Sequence, residues 1–278
     1  MTMQALDVRQ PVEVCDISSP TVIKIGGSTL DKAQPVFRQV VHLWRTGRRP
    51  VIVHGGGPAI NRWLHRLGVE PQFSGGRRVT DAATLEVVRA VMVGQINGDI
   101  VRTLVSAGGR AVGFSGIDGG LIRARRAAPE LGLVGQVAEV DPALIQMAVE
   151  AGYIPVITPL GIGPDNEYLN INADDVALAV ATALRARDLV FLSDVAGILD
   201  RQGHSIDRIT PTQARSLMTN GVVTGGMVPK VEACLAALAS VRRVTIVDGA
   251  APQCLLRALD LDSDGIPGTC IVGDDASV

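Results

Sequence analysis

Two short apolar runs that stop abruptly in glycine limit what this chain can fold into. Thr21–Ile25 (TVIKI) runs straight into Gly26-Gly27-Ser28, and Pro50–Val53 (PVIV) into His54-Gly55-Gly56-Gly57-Pro58. Each glycine cluster opens onto a stretch with helical apolar spacing: Val36, Phe37, Val40, Val41 and Trp44 after the first, Ile60, Leu64 and Leu67 after the second. A β-branched strand followed at once by an amphipathic helix is a βα unit, and repeated βα units build a parallel sheet covered by helices on both faces. The rhythm persists. Asp81 can cap a long helix reaching about Ala107, followed by strands at Ala111–Phe114 and Ile154–Thr158. Between these strands, residues 119–140 alternate like a β-hairpin, and a helix spans about Pro142–Ala151. Further on, helices are predicted at Asp174–Arg185, Thr212–Asn220 and Gly225–Ala239. Strands are predicted at Asp188–Leu192 and Val244–Val247, and the final run is Gly268–Val272.

The expected fold is therefore α/β: a three-layer α/β/α sandwich around a mostly parallel open sheet. With 278 residues, 47% of them hydrophobic, the chain can bury a core for one large domain or two lobes. The expected division is an extension over 1–20, an N-terminal lobe over 21–178 and a C-terminal lobe over 179–278, meeting at a helix junction without a linker.

Composition excludes several functions. A net charge of −2 with 3% aromatic residues lacks the basic excess and stacking surface of a nucleic-acid binder. Four scattered histidines and four cysteines without C-x-x-C spacing argue against a metal cage or a disulfide framework. No run has the apolar core of a signal peptide or the length of a membrane span, so the expected location is cytoplasmic.

The basic residues are unevenly made up: 23 arginines against three lysines, Lys24, Lys32 and Lys230. Lys32 reads as exposed. Lys24 is the polar residue of the first strand, just before Gly26-Gly27, where it either snorkels to water or faces the anion that glycine amides and a helix N-terminus attract. Lys230 follows Gly225-Gly226 at the start of a helix, where a cation opposes the dipole and needs an anionic partner. Neither glycine cluster is a Walker A loop or a G-x-G-x-x-G fingerprint. In YLNINADDVALAV, alternation places Asn170 and Asn172 on one strand face, and Asp174 is either the helix cap or a carboxylate that orients lysines. Arg77-Arg78 precedes Val79-Thr80-Asp81; a guanidinium there can take a substrate carboxylate bidentately. Asp194–Leu199 follows an apolar strand, where a base or ribose can lie.

Taken in order, VIKIGGS, VIVHGGGPAIN, GRRVTD, VGFSGIDGGLI, GYIPVITPLG, NINADDVA, LVFLSDVAGIL and GGMVPK resemble the amino-acid kinase family, and within it the acetylglutamate kinases, from about Thr21 to Val272. The resemblance implies transfer of phosphate from ATP, carrying Mg2+, to the γ-carboxylate of N-acetyl-L-glutamate in arginine biosynthesis. The acceptor would lie in the N-terminal lobe and ATP in the C-terminal one. It implies that Lys24 and Lys230 neutralise the transferring phosphoryl group, with Asp174 holding both lysines. Gly56, Gly57, Arg78, Asn170 and Asn172 would bind the acceptor, Arg78 taking its α-carboxylate. Gly26 and Gly27 would face phosphates, and Asp194, Val195, Gly197, Ile198, Leu199, Val222, Val223 and Thr224 would line the nucleotide pocket. No protein metal site is implied.

Some features depart from the family. Pro11 and Pro20 interrupt the first twenty residues, which hold no amphipathic run of the kind that links dimers into arginine-inhibited hexamers; a homodimer is expected. Arg77 stands where the family commonly has a smaller or apolar residue. The Arg123/Arg125/Arg126 cluster leaves open a kinase acting on a carrier-linked acceptor, and a catalytically silent sensor on the same fold is a further alternative.

Overall fold

A computed structural model describes residues 19–30, 33–224, 227–259 and 267–274. The expected exposure of Lys32, the Gly225-Gly226 turn and the whole of 1–18 lie outside these residues. Thr21–Ile25 forms β1, and the glycine cluster turns into a one-turn helix, α1 (Gly27–Leu30). Next come α2 (Gln34–Arg45), β2 (Pro50–His54), α3 (Gly57–Arg66) and a minimal hairpin, β3 (Phe73–Ser74) and β4 (Arg77–Arg78). Asp81 caps α4 (Ala82–Arg89), its side chain accepting from the Thr84 N–H at 2.7 Å.

The single helix expected through Ala107 is subdivided. After α4 the backbone widens into a π-helix at Ala90–Asn97 before resuming as α5 (Gly98–Ser106). The wider turn sets Val91, Met92, Ile96 and Asn97 on the buried side. Single π turns recur at functional sites because they re-aim side chains, and Asn97 is re-aimed here, as described below.

The chain continues through β5 (Ala111–Ser115), β6 (Ile122–Arg126), β7 (Val134–Val140), α6 (Ala143–Glu150) and β8 (Ile154–Thr158). β6 and β7 pair as the antiparallel hairpin read from the sequence. Two further strands join them to close a small four-stranded barrel: β9 (Leu160–Ile162), which the sequence did not announce, and β10 (Tyr168–Ile171), the strand expected to carry Asn170, which ends one residue before Asn172. The rest is α7 (Ala173–Ala183), β11 (Asp188–Ser193), β12 (Arg208–Ile209), α8 (Pro211–Thr219), α9 (Met227–Ala237), β13 (Arg243–Asp248), α10 (Cys254–Leu259) and β14 (Gly268–Val272). Position 178 lies inside α7.

Eight strands form one sheet in the order β12-β14-β13-β11-β1-β2-β8-β5. It is parallel from β13 to β5, whereas β14 runs antiparallel to β13. Alternation along the strands divides the core in two. Val22, Val51, Val53, Leu189 and Phe191 pack with α7, α9 and the small barrel. Ile23, Ile25, Ile52, Val190 and Leu192 pack with α2, α3, α5 and α10. This is the three-layer sandwich expected from the βα rhythm. Lys24 shares the Val22 face, so its side chain extends along the layer that holds α7.

At the carboxyl edge the ladder runs one residue into each glycine turn: the Gly26 N–H donates to Leu192 O at 3.0 Å and the Gly55 N–H to Ile25 O at 2.9 Å. β1 has β2 on one side and β11 on the other, so the chain reverses its direction of winding there. Ligands of open α/β sheets bind in the crevice at such a point.

Candidate active site

A cleft of about 320 Å3 opens at that edge, bounded by the two glycine turns, the β3–β4 hairpin and the start of α7. Lys24, Gly27, Gly56, Gly57, Arg78, Asn170, Asn172 and Asp174 all line it. Gly27 is needed because the two glycine turns touch: a Cβ there would lie 2.8 Å from Gly57 N and 2.9 Å from Pro58 Cδ. Gly56 caps α3, and Met92 and Ile96 of the π segment fill the space a side chain would take. The amides of Gly56 and Gly57 therefore stand at a helix start without an intrahelical acceptor. The Gly26 amide does not: its bond to Leu192 O takes the N–H expected to face a phosphate.

Asn172, not Asp174, caps α7: its Oδ1 accepts the Asp174 N–H at 2.7 Å. That leaves the Asp174 carboxylate free to meet Lys24, and Nζ and Oδ1 lie 2.7 Å apart. The lysine is only 12% exposed, so it reaches the cleft paired and partly dried. Lys230 is held differently from what the resemblance implied. Its Nζ donates to Ser193 Oγ at 3.1 Å instead of pairing with Asp174, and the Asp194 carboxylate stands close by. Hydrogen bonds from its own backbone, Ser28 and Ser193, together with the Lys230 charge, hold Asp194 below the usual carboxylate range against the opposing effect of burial. Ser28 and Ser193 thus join the site. Both stand inside quoted motifs, but a lone serine carries no signal by spacing.

Arg78 is the cation on the opposite wall. It is 8% exposed and donates through Nη2 to Gly57 O at 3.3 Å and to Asn61 Oδ1, while Phe73 covers it at 4.8 Å. These partners are neutral, and Nη1 is buried without a partner. Desolvation accordingly pulls its pKa below the ordinary arginine value. A guanidinium in this condition is completed by an anion with two acceptor oxygens. Asn170 is 3.1 Å from Thr80 Oγ1, to which it donates, on the same side. Arg77, unexplained by the sequence, bonds Asp175 Oδ2 at 2.8 Å.

Below the second glycine turn lies a buried polar cluster that sequence reading left unassigned. His54 is fully buried, with Nδ1 3.0 Å from Gly55 O and Nε2 3.0 Å from Thr158 Oγ1. A carbonyl only accepts, so Nδ1 carries the proton and Nε2 accepts. Asn97 Nδ2 donates to Val156 O at 2.9 Å and to Thr158 Oγ1 at 3.1 Å, and lies 3.3 Å from His54 Nε2. Burial lowers the His54 pKa from 6.5 to about 4, keeping the ring neutral.

The expected nucleotide segment is less uniform. Ile198 and Val223 are buried in the core, so only their backbones can meet a ligand. Gly197 has φ 122°, and a Cβ would crowd Thr269 and Ser205. Val195 is half-buried core, and Leu199 is 44% exposed and bridges to Ser205. Val222 and Thr224 lie in the turn after α8, the helix whose C-cap Asn220 accepts from Arg201 Nη2 at 3.4 Å. Of the arginine cluster on β6, Arg126 pairs with Glu167 at 2.8 Å and Arg125 donates to Gln136 at 3.3 Å.

Residues 19–248 match the profile of the amino acid kinase family. The chain belongs to that family. Among its amino acid kinase relatives it is 47% identical to the acetylglutamate kinase of Thermosynechococcus vestitus, over 92% of this chain and 89% of that one. It is 42% identical to the acetylglutamate kinase of Syntrophomonas wolfei, over 91% of each. Among solved structures, a Streptococcus mutans protein (smu.665) superposes with TM-score 0.78 at 29% identity, over 91% of this chain and 98% of that one. The N-acetylglutamate synthase of Neisseria gonorrhoeae, in complex with coenzyme A and N-acetyl-glutamate, gives 0.80 at 25% identity, over 91% of this chain and 59% of its own.

Cys234, Cys254 and Cys270 are free and buried, and burial pushes the Cys234 thiol up to about 12, so it is a neutral core residue. Among the described residues there is no cluster of three His, Cys, Asp or Glu that could hold a metal, and no helix is long and apolar enough to cross a membrane.

Proposed function

We propose that this amino acid kinase is an acetylglutamate kinase. It transfers the γ-phosphoryl group of ATP to the γ-carboxylate of N-acetyl-L-glutamate, giving N-acetyl-L-glutamyl 5-phosphate and ADP in arginine biosynthesis. The observation that carries this reading is the buried Arg78 guanidinium with an unpartnered Nη1, in the same cleft as the Lys24–Asp174 pair. One anionic end of a dicarboxylate completes Arg78. The other lies toward Lys24 and the amides of Gly27, Gly56 and Gly57. Asn170 and Asn172 bound the acceptor between them. The names of the relatives at 42–47% identity support the same substrate.

The mechanism follows from charge. A γ-carboxylate is ionised at neutral pH, so the attacking oxygen needs no general base. It displaces ADP at the γ-phosphorus, forming one P–O bond as the bridging P–O bond breaks and its electron pair leaves with ADP. The protein's task is to bring two anions together and to stabilise the charge spread over the transferring group. Lys24 and Lys230 supply that charge from two sides, Lys24 oriented by Asp174 and Lys230 by Ser193. Bound Mg2+ neutralises phosphate charge. Asp174 and Asp194 are already engaged by Lys24 and by Ser28 and Ser193, a donor set that suits a metal carried mainly by phosphates and water. ATP lies along 194–199 and 222–224 in the lobe over 179–278, and the acceptor in the lobe over 21–178.

The enzyme is cytoplasmic and a homodimer. The dimer is supported by an apolar patch formed by the end of α3, α4 and the π-helix, which includes Trp63 and the α3 C-cap Leu67, 40% and 61% exposed.

The test is direct. Purified protein with ATP, Mg2+ and N-acetyl-L-glutamate releases ADP and forms an acyl phosphate that hydroxylamine converts to a hydroxamate. Hydroxamate at the level of the enzyme-free blank would refute the reading.

A further inference from the structure

The Arg77–Asp175 pair joins the two walls of the cleft at adjacent residues. Both arginines of β4 border the cleft, but Arg78 bonds Gly57 and Asn61 on the α3 wall while its neighbour Arg77 reaches across to α7. On the first turn of α7, Asp174 holds Lys24 while its neighbour Asp175 takes Arg77. We infer that the 2.8 Å Arg77–Asp175 ion pair is a positioning latch that ties the hairpin carrying the acceptor-binding arginine to the helix that orients Lys24.

The hairpin needs such a tie. β3 and β4 have two residues each, joined by Gly75-Gly76 at φ 55° and 75°, and Phe73 is 54% exposed. An isolated two-stranded hairpin is marginally stable at best, so its position depends on what anchors it. Its C-terminal end is fixed where the Thr80 N–H donates to Leu131 O at 2.9 Å and Leu133 N–H to Thr80 O at 2.7 Å. Arg77 carries the anchoring over to α7. Asp175 is well placed to receive it, since a carboxylate in the first turn of a helix is favoured by the dipole. Arg77 and Asp175 are 30% and 33% exposed, too wet for the pair to matter much to global stability, so its value is in where it holds Arg78.

The identity of the bound anion rests on the acetylglutamate kinase reading; the latch itself does not. Two readouts keep them apart. In the absence of any ligand, hydrogen–deuterium exchange of the peptide spanning 70–81 should speed up in Arg77→Ala and in Asp175→Ala, with the melting temperature within a few degrees of the wild type. In steady-state kinetics, each variant should raise KM for N-acetyl-L-glutamate about two- to fivefold, the range over which a pair of this exposure can move an equilibrium, while KM for ATP is unchanged. The double variant should be no worse than either single one, and Arg77→Lys should recover much of the loss. Wild-type exchange rates in both single variants would overturn the latch, as would additive effects or equal rises in both KM values. A wild-type protein inactive on acetylglutamate would overturn the function and leave the exchange experiment to decide the latch.

Discussion

Lowering the pH should weaken this protein through His54 before its carboxylates titrate. The ring is fully buried below the second glycine turn, and burial sets its pKa at about 4 against 6.5 for an exposed histidine. The unfolded chain therefore takes up the proton first as pH falls. Stability from the neutral ring is complete above about pH 6.5 and is lost progressively as the pH falls toward about 4. At 1.36 kcal/mol per pH unit the full loss is about 3 kcal/mol, a large part of the 5–15 kcal/mol that holds a typical domain. The geometry gives the same sign. A proton on Nε2 would turn Thr158 Oγ1, 3.0 Å away, from donor to acceptor and leave its hydroxyl proton without the ring nitrogen, and it would also face Asn97 Nδ2, itself a donor 3.3 Å away. The assay is urea unfolding of the wild type and His54→Gln between about pH 7 and pH 4. Carboxylates common to both proteins cancel in the difference, which should favour the wild type at neutral pH and shrink by about 3 kcal/mol toward pH 4. A 15N spectrum of the imidazole should show the Nδ1-protonated tautomer down to about pH 5. A stability difference that stays flat with pH, or grows as pH falls, would refute the reasoning.

Three other perturbations test separate parts of the site and scaffold. Lys24→Ala should lower kcat by about 10²–10³, roughly 2.7–4 kcal/mol of transition-state stabilisation, as measured by hydroxamate formation at saturating substrates. Gly27→Ala puts a Cβ 2.8 Å from Gly57 N and must push the two glycine turns apart; kcat should fall by about 10²-fold in the same assay. Asp188→Asn leaves Arg243 buried without its counter-charge at the opposite edge of the sheet, and should cost about 3–5 kcal/mol in urea unfolding.

The sequence made the sheet legible because hydrophobic burial there is periodic. Strands such as Thr21–Ile25 and Asp188–Ser193 are buried on both faces and read as continuous apolar runs, and their helices carry a clear apolar stripe. The small barrel was half legible for the same reason. β6 and β7 alternate and pair locally, but Leu160–Ile162 and Tyr168–Ile171 are three and four residues long, and their pairing is fixed only by the barrel they close. The π-helix was hidden because its sequence, AVMVGQIN, is as helical in pattern as its flanks. What accompanies it is three-dimensional: Asn97, the last residue of the π-helix, reaches β8 and His54.

The candidate site divides along the same line. Residues whose type alone states a chemical demand, such as a strand-end lysine or a glycine before a helix, could be picked out, and the cleft gathers eight of them. Who satisfies whom could not be read off. A carboxylate at 174 served equally as cap or counter-ion until Asn172 took the cap, and one aspartate for two lysines gave way to Ser193 for the second. Arg77 is the sharpest case. Its charge made no sense beside Arg78 in a linear reading, because its partner lies 98 positions further on. Adjacent residues of a strand point their side chains in different directions, so β4 can send Arg78 to α3 and Arg77 to α7 although both border the cleft. Once α7 is seen to present Asp174 and Asp175 in the same divided way, the doubled arginine and doubled aspartate form one arrangement: Arg78 and Asp174 border the cleft, one on each wall, and the Arg77–Asp175 pair spans from the hairpin to α7.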